Sequence, residues 1–426
     1  MPRRNLLVIV IMFVFCVICV VRADRSPYGR YLGQVLNAID RWALQRVPPQ
    51  QIFDGAMRGI VGQLDDYSSY ISSRDLELFE ADLEQEFGGI GVLLQQKGEN
   101  RQLTVVSPPL FGTPALDAGI RVHDQIVKID GVLTAGMTME EVVRRMRGKK
   151  GEPIELTLLH RDQDQPVTRR IVRDTIRIPS VLGDFRRPDG SWEYRLARDP
   201  RVGYVRILSF GERTSEELRS ALETLRAGSV ASLVLDLRDN AGGLLPAAIE
   251  TCDLFLPEGR VIVSIRGRHP GMEDVRESTG RGGFLDIPTV VLVNHYTASA
   301  SEIVAACLQD HKRAVVAGER TWGKGTVQHV IPIESGRSIL KLTAATYWRP
   351  SGKNIHRLQD DNSGQWGVQP DPGMANPLSQ DERAAIREQR NLRDTMFGPR
   401  NDMPPLADPQ IDLVLEYLSP RLEADR

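Results

Sequence analysis

A chain of 426 residues, 41% of them hydrophobic, has the apolar material for roughly two to three packed domains, which excludes the disordered class. Its 54 basic and 56 acidic residues nearly cancel to a formal net charge of −2, with no long basic run. Such a surface carries no global field that would attract nucleic acid, and no nucleic-acid partner is expected.

The N-terminus differs in kind from everything after it. Arg3 and Arg4 precede an uninterrupted apolar run, Leu6–Val21, which has the length of a signal-peptide core and is short for a membrane span. Residues 1–23 are predicted to be a signal peptide, with cleavage after Ala23 preferred over retention as a membrane anchor through residues 6–21. The protein is then exported, to the periplasm or the extracytoplasmic face of the membrane. Bulky Phe15 before Cys16 argues against a lipoprotein signal. Export would leave Cys252 and Cys307 in the mature part, both on apolar faces of predicted helices and read as buried thiols rather than a disulfide.

Residues 28–86 read as helical. Leu32, Val35, Leu36, Ile39 and Trp42 recur at three- and four-residue intervals, Pro48-Pro49 breaks the run, and a second helix follows over Ile52–Leu64. The turn Asp65–Tyr70 leads to an acidic helix holding Leu76, Phe79 and Leu83. By itself this is a small bundle, a lid or the dimerisation arm of a homo-oligomer. From Phe87 the pattern changes to short strands at Ile90–Gln95, Leu103–Val106, Gln125–Ile129 and Ile154–Leu159, with a helix over Met139–Arg147. Residues 87–177 resemble a PDZ domain, which takes an extended peptide as an added strand and its terminal carboxylate on a glycine-rich loop. That loop is Gly88, Gly89, Ile90, Gly91 and Val92. Ile90 and Val92 would line an apolar pocket with Val142, Val143 and Met146.

From Pro200 strands and helices alternate: Val202–Leu208, Ser215–Leu225, Ser232–Leu237, Leu245–Phe255, Arg260–Ile265 and Thr289–Val293. That is an α/β core. Its last strand runs into a polar turn, and Ser299 and Ser301 open a segment in which Ile303, Val304, Ala306, Cys307 and Leu308 recur at helical spacing. A serine at such a turn has unpaired N–H groups and the positive end of the helix dipole beside it, suited to a developing oxyanion. A further strand, Ala314–Ala317, delivers Gly323-Lys324-Gly325. A serine nucleophile with a partly buried lysine as general base is the chemistry suggested; an ordinary N-cap and an ordinary glycine turn are the plainer alternative.

The string Thr297-Ala298-Ser299-Ala300-Ser301-Glu302-Ile303 and the block Gly318-Glu319-Arg320-Thr321-Trp322-Gly323-Lys324-Gly325-Thr326-Val327-Gln328 closely resemble the signature of the C-terminal processing peptidases, or tail-specific proteases. The family string begins with serine where this chain has Thr297. The resemblance implies Ser299 as nucleophile, Lys324 as base and Gln328 as the residue that orients the lysine, with Ser301 the competitor for the nucleophile's role. Asp236-Leu237-Arg238-Asp239-Asn240-Ala241-Gly242-Gly243 resembles the family's glycine block, which implies an oxyanion hole from Gly242, with Gly243 beside it, and the N–H of Ala300. Asp310 enters as a further relay residue on the same resemblance. The implied fold is α+β and multidomain: an N-terminal helical segment, a PDZ-like β-rich domain, a crotonase-like α/β peptidase core over 178–375, and a tail over 376–426 with one helix near Ile411–Leu418.

His295, His311 and His329 lie near these blocks but fall outside the family's positions, and read as surface or packing residues. No His-Glu-x-x-His helix is present, and Asp360, Asn362 and Gly364 lack the glutamate that would close a calcium loop, so neither metal nor other cofactor is called for. The expected activity is serine endopeptidase cleavage near the C-terminal tails of protein substrates. A non-catalytic PDZ adaptor that binds apolar ligands is the competing class.

Overall fold

A computed structural model describes residues 11–16, 27–76, 79–80, 85–98, 101–107, 109–187, 189–358, 364–395 and 407–424. Most of the predicted export segment, of the acidic helix after Tyr70 and of the calcium-like loop lies outside them. No helix among the described residues is long and apolar enough to cross a membrane. The chain divides into two compact units, residues 1–74 with 330–342, and residues 75–329 with 343–426.

In the first unit two helices, Pro27–Trp42 and Pro49–Val61, each open on a proline, whose fixed φ suits a first turn and whose missing N–H is not needed there. Strand Ser69–Ile71 pairs antiparallel with Ile339–Lys341. The Tyr70 hydroxyl donates to Asp54 at 2.9 Å and to Glu334 at 3.2 Å, fastening that strand pair to the second helix.

The second unit begins with a five-strand antiparallel path, Leu94–Lys97, Gln102–Val105, Gln125–Ile129, Pro153–Leu159 and Val167–Val172, closed over helix Met139–Met146 by Leu103, Ile126, Ile129, Val142, Leu156 and Leu158. Of the run expected as a strand over Ile90–Gln95 only Leu94 and Gln95 are strand, and a separate strand, Glu86–Gly89, precedes it. Glu86–Gly89 pairs with Asp174–Arg177, and Leu94–Lys97 pairs with Gln102–Val105. Between them Gly91 has φ 84°, and a methyl group there would lie 2.5 Å from the Thr113 Cβ, so the strand must break.

The rest of the unit is built on four parallel strands, Asp199–Ile207, Ser232–Asp236, Thr289–Val293 and Ala314–Gly318. Their residues alternate between two cores. Leu233, Leu235, Val291 and Val293 meet Leu218, Leu222, Ile303 and Val304 on one face, while Val234, Val290 and Leu292 meet Ile411, Val414 and Leu418 on the other. Strands covered on both faces read as continuous apolar runs, which is why they were legible as strands. The second face corrects the reading of the tail. It holds two helices, Gln380–Thr395 and Pro409–Ala424, and the latter is part of the core rather than an appendage. Cys252 and Cys307 are buried, free thiols, as expected.

Candidate active site

Three loops leave the C-terminal ends of adjacent parallel strands, after Asp236, Val293 and Gly318. In open α/β sheets that edge is where ligands gather, because strand ends and helix starts leave backbone groups unpaired there. The three loops carry the glycine block, Ser299 and Lys324.

Ser299 stands at the head of helix Ala300–Asp310 with φ 57° and ψ −118°. That backbone is unfavourable for any residue with a Cβ, and it persists only where the surroundings enforce it. They do so through the neighbouring turn. The Ala298 N–H and the Ser301 hydroxyl both donate to the Asn240 carbonyl, at 3.0 and 3.0 Å, and the Thr297 hydroxyl donates to the Leu237 carbonyl at 2.8 Å. Ser301 is fully buried with its hydroxyl so engaged, which removes it as a competing nucleophile. Gly242, at φ 104°, lies so close that a methyl group on it would come within 2.8 Å of the Ser299 Cβ and 3.0 Å of the Ala300 nitrogen.

The N–H of Gly242 donates to the Asn240 side chain at 2.8 Å. Gly243 forms a parallel bridge with Phe210, whose N–H donates to Gly242 and whose carbonyl accepts from Leu244. In such a bridge the N–H of Gly243 itself faces away from Phe210. It finds no acceptor among the described residues, and neither does the N–H of Ala300. The Gly242 N–H expected to serve an oxyanion is thus engaged with Asn240, and the N–H groups of Gly243 and Ala300 are the ones left over at this turn.

Sequence reasoning passed over Glu302. It is fully buried, and its Oε2 accepts the N–H of Ser299 at 2.8 Å and the N–H of Lys324 at 2.8 Å. Its Oε1 accepts the Thr321 hydroxyl at 2.5 Å and the Gly323 N–H at 2.7 Å. One carboxylate thus ties the serine turn to the lysine turn, with both backbone nitrogens on a single oxygen. Burial pushes its carboxyl up to about 7, against the pull of these four donors. The available signal was the spacing Ser299-x-x-Glu302, the pattern in which an N3 glutamate reaches back to an N-cap N–H.

The lysine turn is clasped closely. Methyl groups on Gly323 and Gly325 would strike the Trp366 ring at 2.7 Å and the His356 backbone nitrogen at 2.3 Å. Lys324 itself is half-buried. Gln328 donates to Thr343 at 3.0 Å and to Thr326 at 3.2 Å.

Asp310 is at the far end of its helix, about 16 Å along the axis from Ser299 at about 1.5 Å per residue. It pairs with Arg349 at 2.6 Å and accepts the Ser351 N–H at 2.9 Å. Burial would raise its carboxyl, but Arg349 holds it below the ordinary value. It anchors the Arg349 turn and is not a relay partner of the serine. His295 bonds Glu319 at 2.7 Å, His311 bonds the Val261 carbonyl at 2.7 Å, and His329 is exposed.

In the peptide-binding segment Gly88 and Gly89 lie in a strand opposite Thr175 and Asp174, and the Gly88 carbonyl accepts the Gly148 N–H at 3.2 Å. Ile90, Val142 and Met146 are packed into the domain core, which leaves Val92 and Val143 as the half-buried apolar residues of the expected pocket.

Peptidase family S41 matches residues 201–372, and the PDZ domain family matches residues 80–159. The carboxy-terminal-processing protease of Bartonella bacilliformis is 38% identical over 336 residues, 77% of this chain and 71% of that protein. Carboxy-terminal processing protease CtpA of Bacillus subtilis is 35% identical over 74% of this chain, which spans 63% of that relative. Among solved structures, a photosystem II D1 C-terminal processing protease is 27% identical, with 86% of this chain and 97% of that one covered at a TM-score of 0.45.

Proposed function

The chain belongs to peptidase family S41, the carboxy-terminal processing serine proteases, and from that premise we propose that it is an exported endopeptidase working through a Ser299–Lys324 dyad on substrates captured by their C-terminal tails. Export is read from Arg3, Arg4 and the apolar run Leu6–Val21. The PDZ segment takes the tail as an added strand, with Val92 and Val143 as its apolar contacts, and upstream residues enter the cleft.

Ser299 attacks the scissile carbonyl while the neutral amine of Lys324 accepts its proton and passes it to the leaving amine. The N–H groups of Ala300 and Gly243 take up the charge of the tetrahedral oxyanion. Gln328, on the strand that follows the lysine turn, is the neighbour through which that side chain is oriented. Water then repeats the sequence on the acyl-enzyme.

The observation that carries this reading is Glu302 Oε2, which holds the backbones of Ser299 and Lys324 within 2.8 Å of one atom. A fluorophosphonate probe tests it. Wild type is labelled at Ser299, Ser299→Ala is not, and Lys324→Ala loses turnover while still binding a tail peptide. Folded wild type that resists the probe would return the chain to the adaptor class, and near-normal cleavage by Lys324→Ala would remove the lysine as the base.

A further inference from the structure

The start of helix Pro409–Ala424 and Arg390 of helix Gln380–Thr395 meet the Asp236–Arg238 turn in a buried charge cluster, next to the glycine block in sequence. Asp236, at the end of its strand, accepts the Tyr204 hydroxyl at 2.7 Å and pairs with Arg238 at 2.7 Å and Arg390 at 2.6 Å. Arg238 turns outward from the sheet edge to Asp408, at 3.1 and 2.8 Å, and to the Gln410 side-chain carbonyl at 2.8 Å. Asp236, Arg238, Asp408 and Gln410 are all buried. Asp408 also caps helix Pro409–Ala424, accepting the Gln410 N–H at 3.0 Å.

Gln410 has a second attachment. Its amide donates to the Asn376 carbonyl at 2.7 Å, and the Asn376 N–H donates to the Gly318 carbonyl at 2.9 Å, where the lysine loop begins. The start of the last helix is thus bonded at once to the root of the oxyanion turn and, through Asn376, to the root of the base turn. From Arg238 the turn continues through Asp239, whose N–H donates to Asn294 at 3.0 Å, and Asn240, which braces Ala298 and Ser301.

We propose that Asp408 and Gln410 are positioning residues for catalysis, holding Arg238 and with it the alignment of the Gly243 and Ala300 N–H groups on the oxyanion. The inference rests on the Ser299 nucleophile and deepens that reading by giving the C-terminal helices a role in the chemical step. A cluster that only stabilised the fold would change how many molecules are competent. A cluster that aligns oxyanion donors changes what each competent molecule does, and does so for the transition state more than for bound substrate.

The test uses full-length Asp408→Asn and Gln410→Ala, with competent sites counted by end-point fluorophosphonate labelling of Ser299. Per labelled site, kcat falls about tenfold or more with KM nearly unchanged, and affinity for a peptide boronic acid, which mimics the tetrahedral state, falls by the same factor. Gln410→Ala removes one acceptor, one donor and no charge, and carries the test if Asp408→Asn does not fold. Turnover that falls only in proportion to labelled sites, or boronate affinity equal to wild type, overturns the proposal. Failure of wild type to label at Ser299 sinks the dyad instead, so the two failures are told apart.

Discussion

Two buried carboxylates at the same sheet edge have opposite characters. Glu302 and Asp236 are exposed by 0% and 1%. Glu302 is surrounded by three backbone N–H groups and a hydroxyl, and burial pushes it up to about 7. Burial acts in the same direction on Asp236, but the Arg238 and Arg390 guanidiniums outweigh it and hold that carboxyl well below the ordinary range. Neutral dipoles can seat a carboxylate and leave it titratable near neutrality, whereas formal charges fix its state. The clamp between the serine turn and the lysine turn is of the first kind, and the brace behind the glycine block is of the second.

Stripping the guanidinium from Asp236 breaks the contrast most violently. Arg238→Met leaves Asp236 and Asp408 short of a counter-charge in a dry site, and urea unfolding should show a loss of about 3–5 kcal/mol. A loss below about 1 kcal/mol would mean that the cluster is wetter than its burial indicates. Glu302→Gln comes next. It keeps the shape but turns an –NH2 toward a ring of donors, and kcat per site should drop about 100-fold, a misplacement effect of the kind a small shift of reacting groups produces. Activity near wild type would show that Ser299 and Lys324 hold their places without it.

A pH series sharpens the comparison further. The ordinary value for Glu302 is 4.5 and its folded value about 7, so the folded state binds the proton more tightly than the unfolded state. The penalty of the buried anion is complete above pH 7 and is relieved as pH falls toward 4.5. Relative to Glu302→Gln, the wild-type thermal midpoint should therefore rise on acidification through this window. kcat should fall through it, because a protonated Glu302 adds its own O–H to four groups that already need an acceptor. Asp236 contributes nothing there, being ionised in both the folded and the unfolded state. Stability and activity that move together would refute the assignment. The smallest effect belongs to Thr321→Val, which removes one of the four donors. It should lower stability by about 1–3 kcal/mol, because the Val368 N–H loses its acceptor as well, and move the acid limb of kcat to higher pH, since the bond to Glu302 favours the ionised form.

What could be read from the chain was what is local. The parallel strands announced themselves because both their faces are apolar, and Ser299, Lys324 and the two glycine blocks because their spacing is a signature. Glu302 stood inside that signature without a role, since its meaning lies in which loops it joins across twenty residues. Gly242 was preferred to Gly243 because only the Asn240 side chain decides which N–H is left over. Helix Gln380–Thr395 went unread for the same kind of reason. It buries Ile386 and little other apolar surface, and docks through Arg390 and Arg393 on buried aspartates, a pattern that hydrophobic periodicity does not register. The strand break at Gly91 depended on Thr113, which is distant in sequence.

The backbone at Ser299 has one more implication. A φ of 57° is a conformation in which glycine is at ease and serine is not. With Ser299 as the proposed nucleophile, Ser299→Gly should give a chain that tolerates heat better and cuts nothing. Under that proposal, keeping serine here sets durability against work.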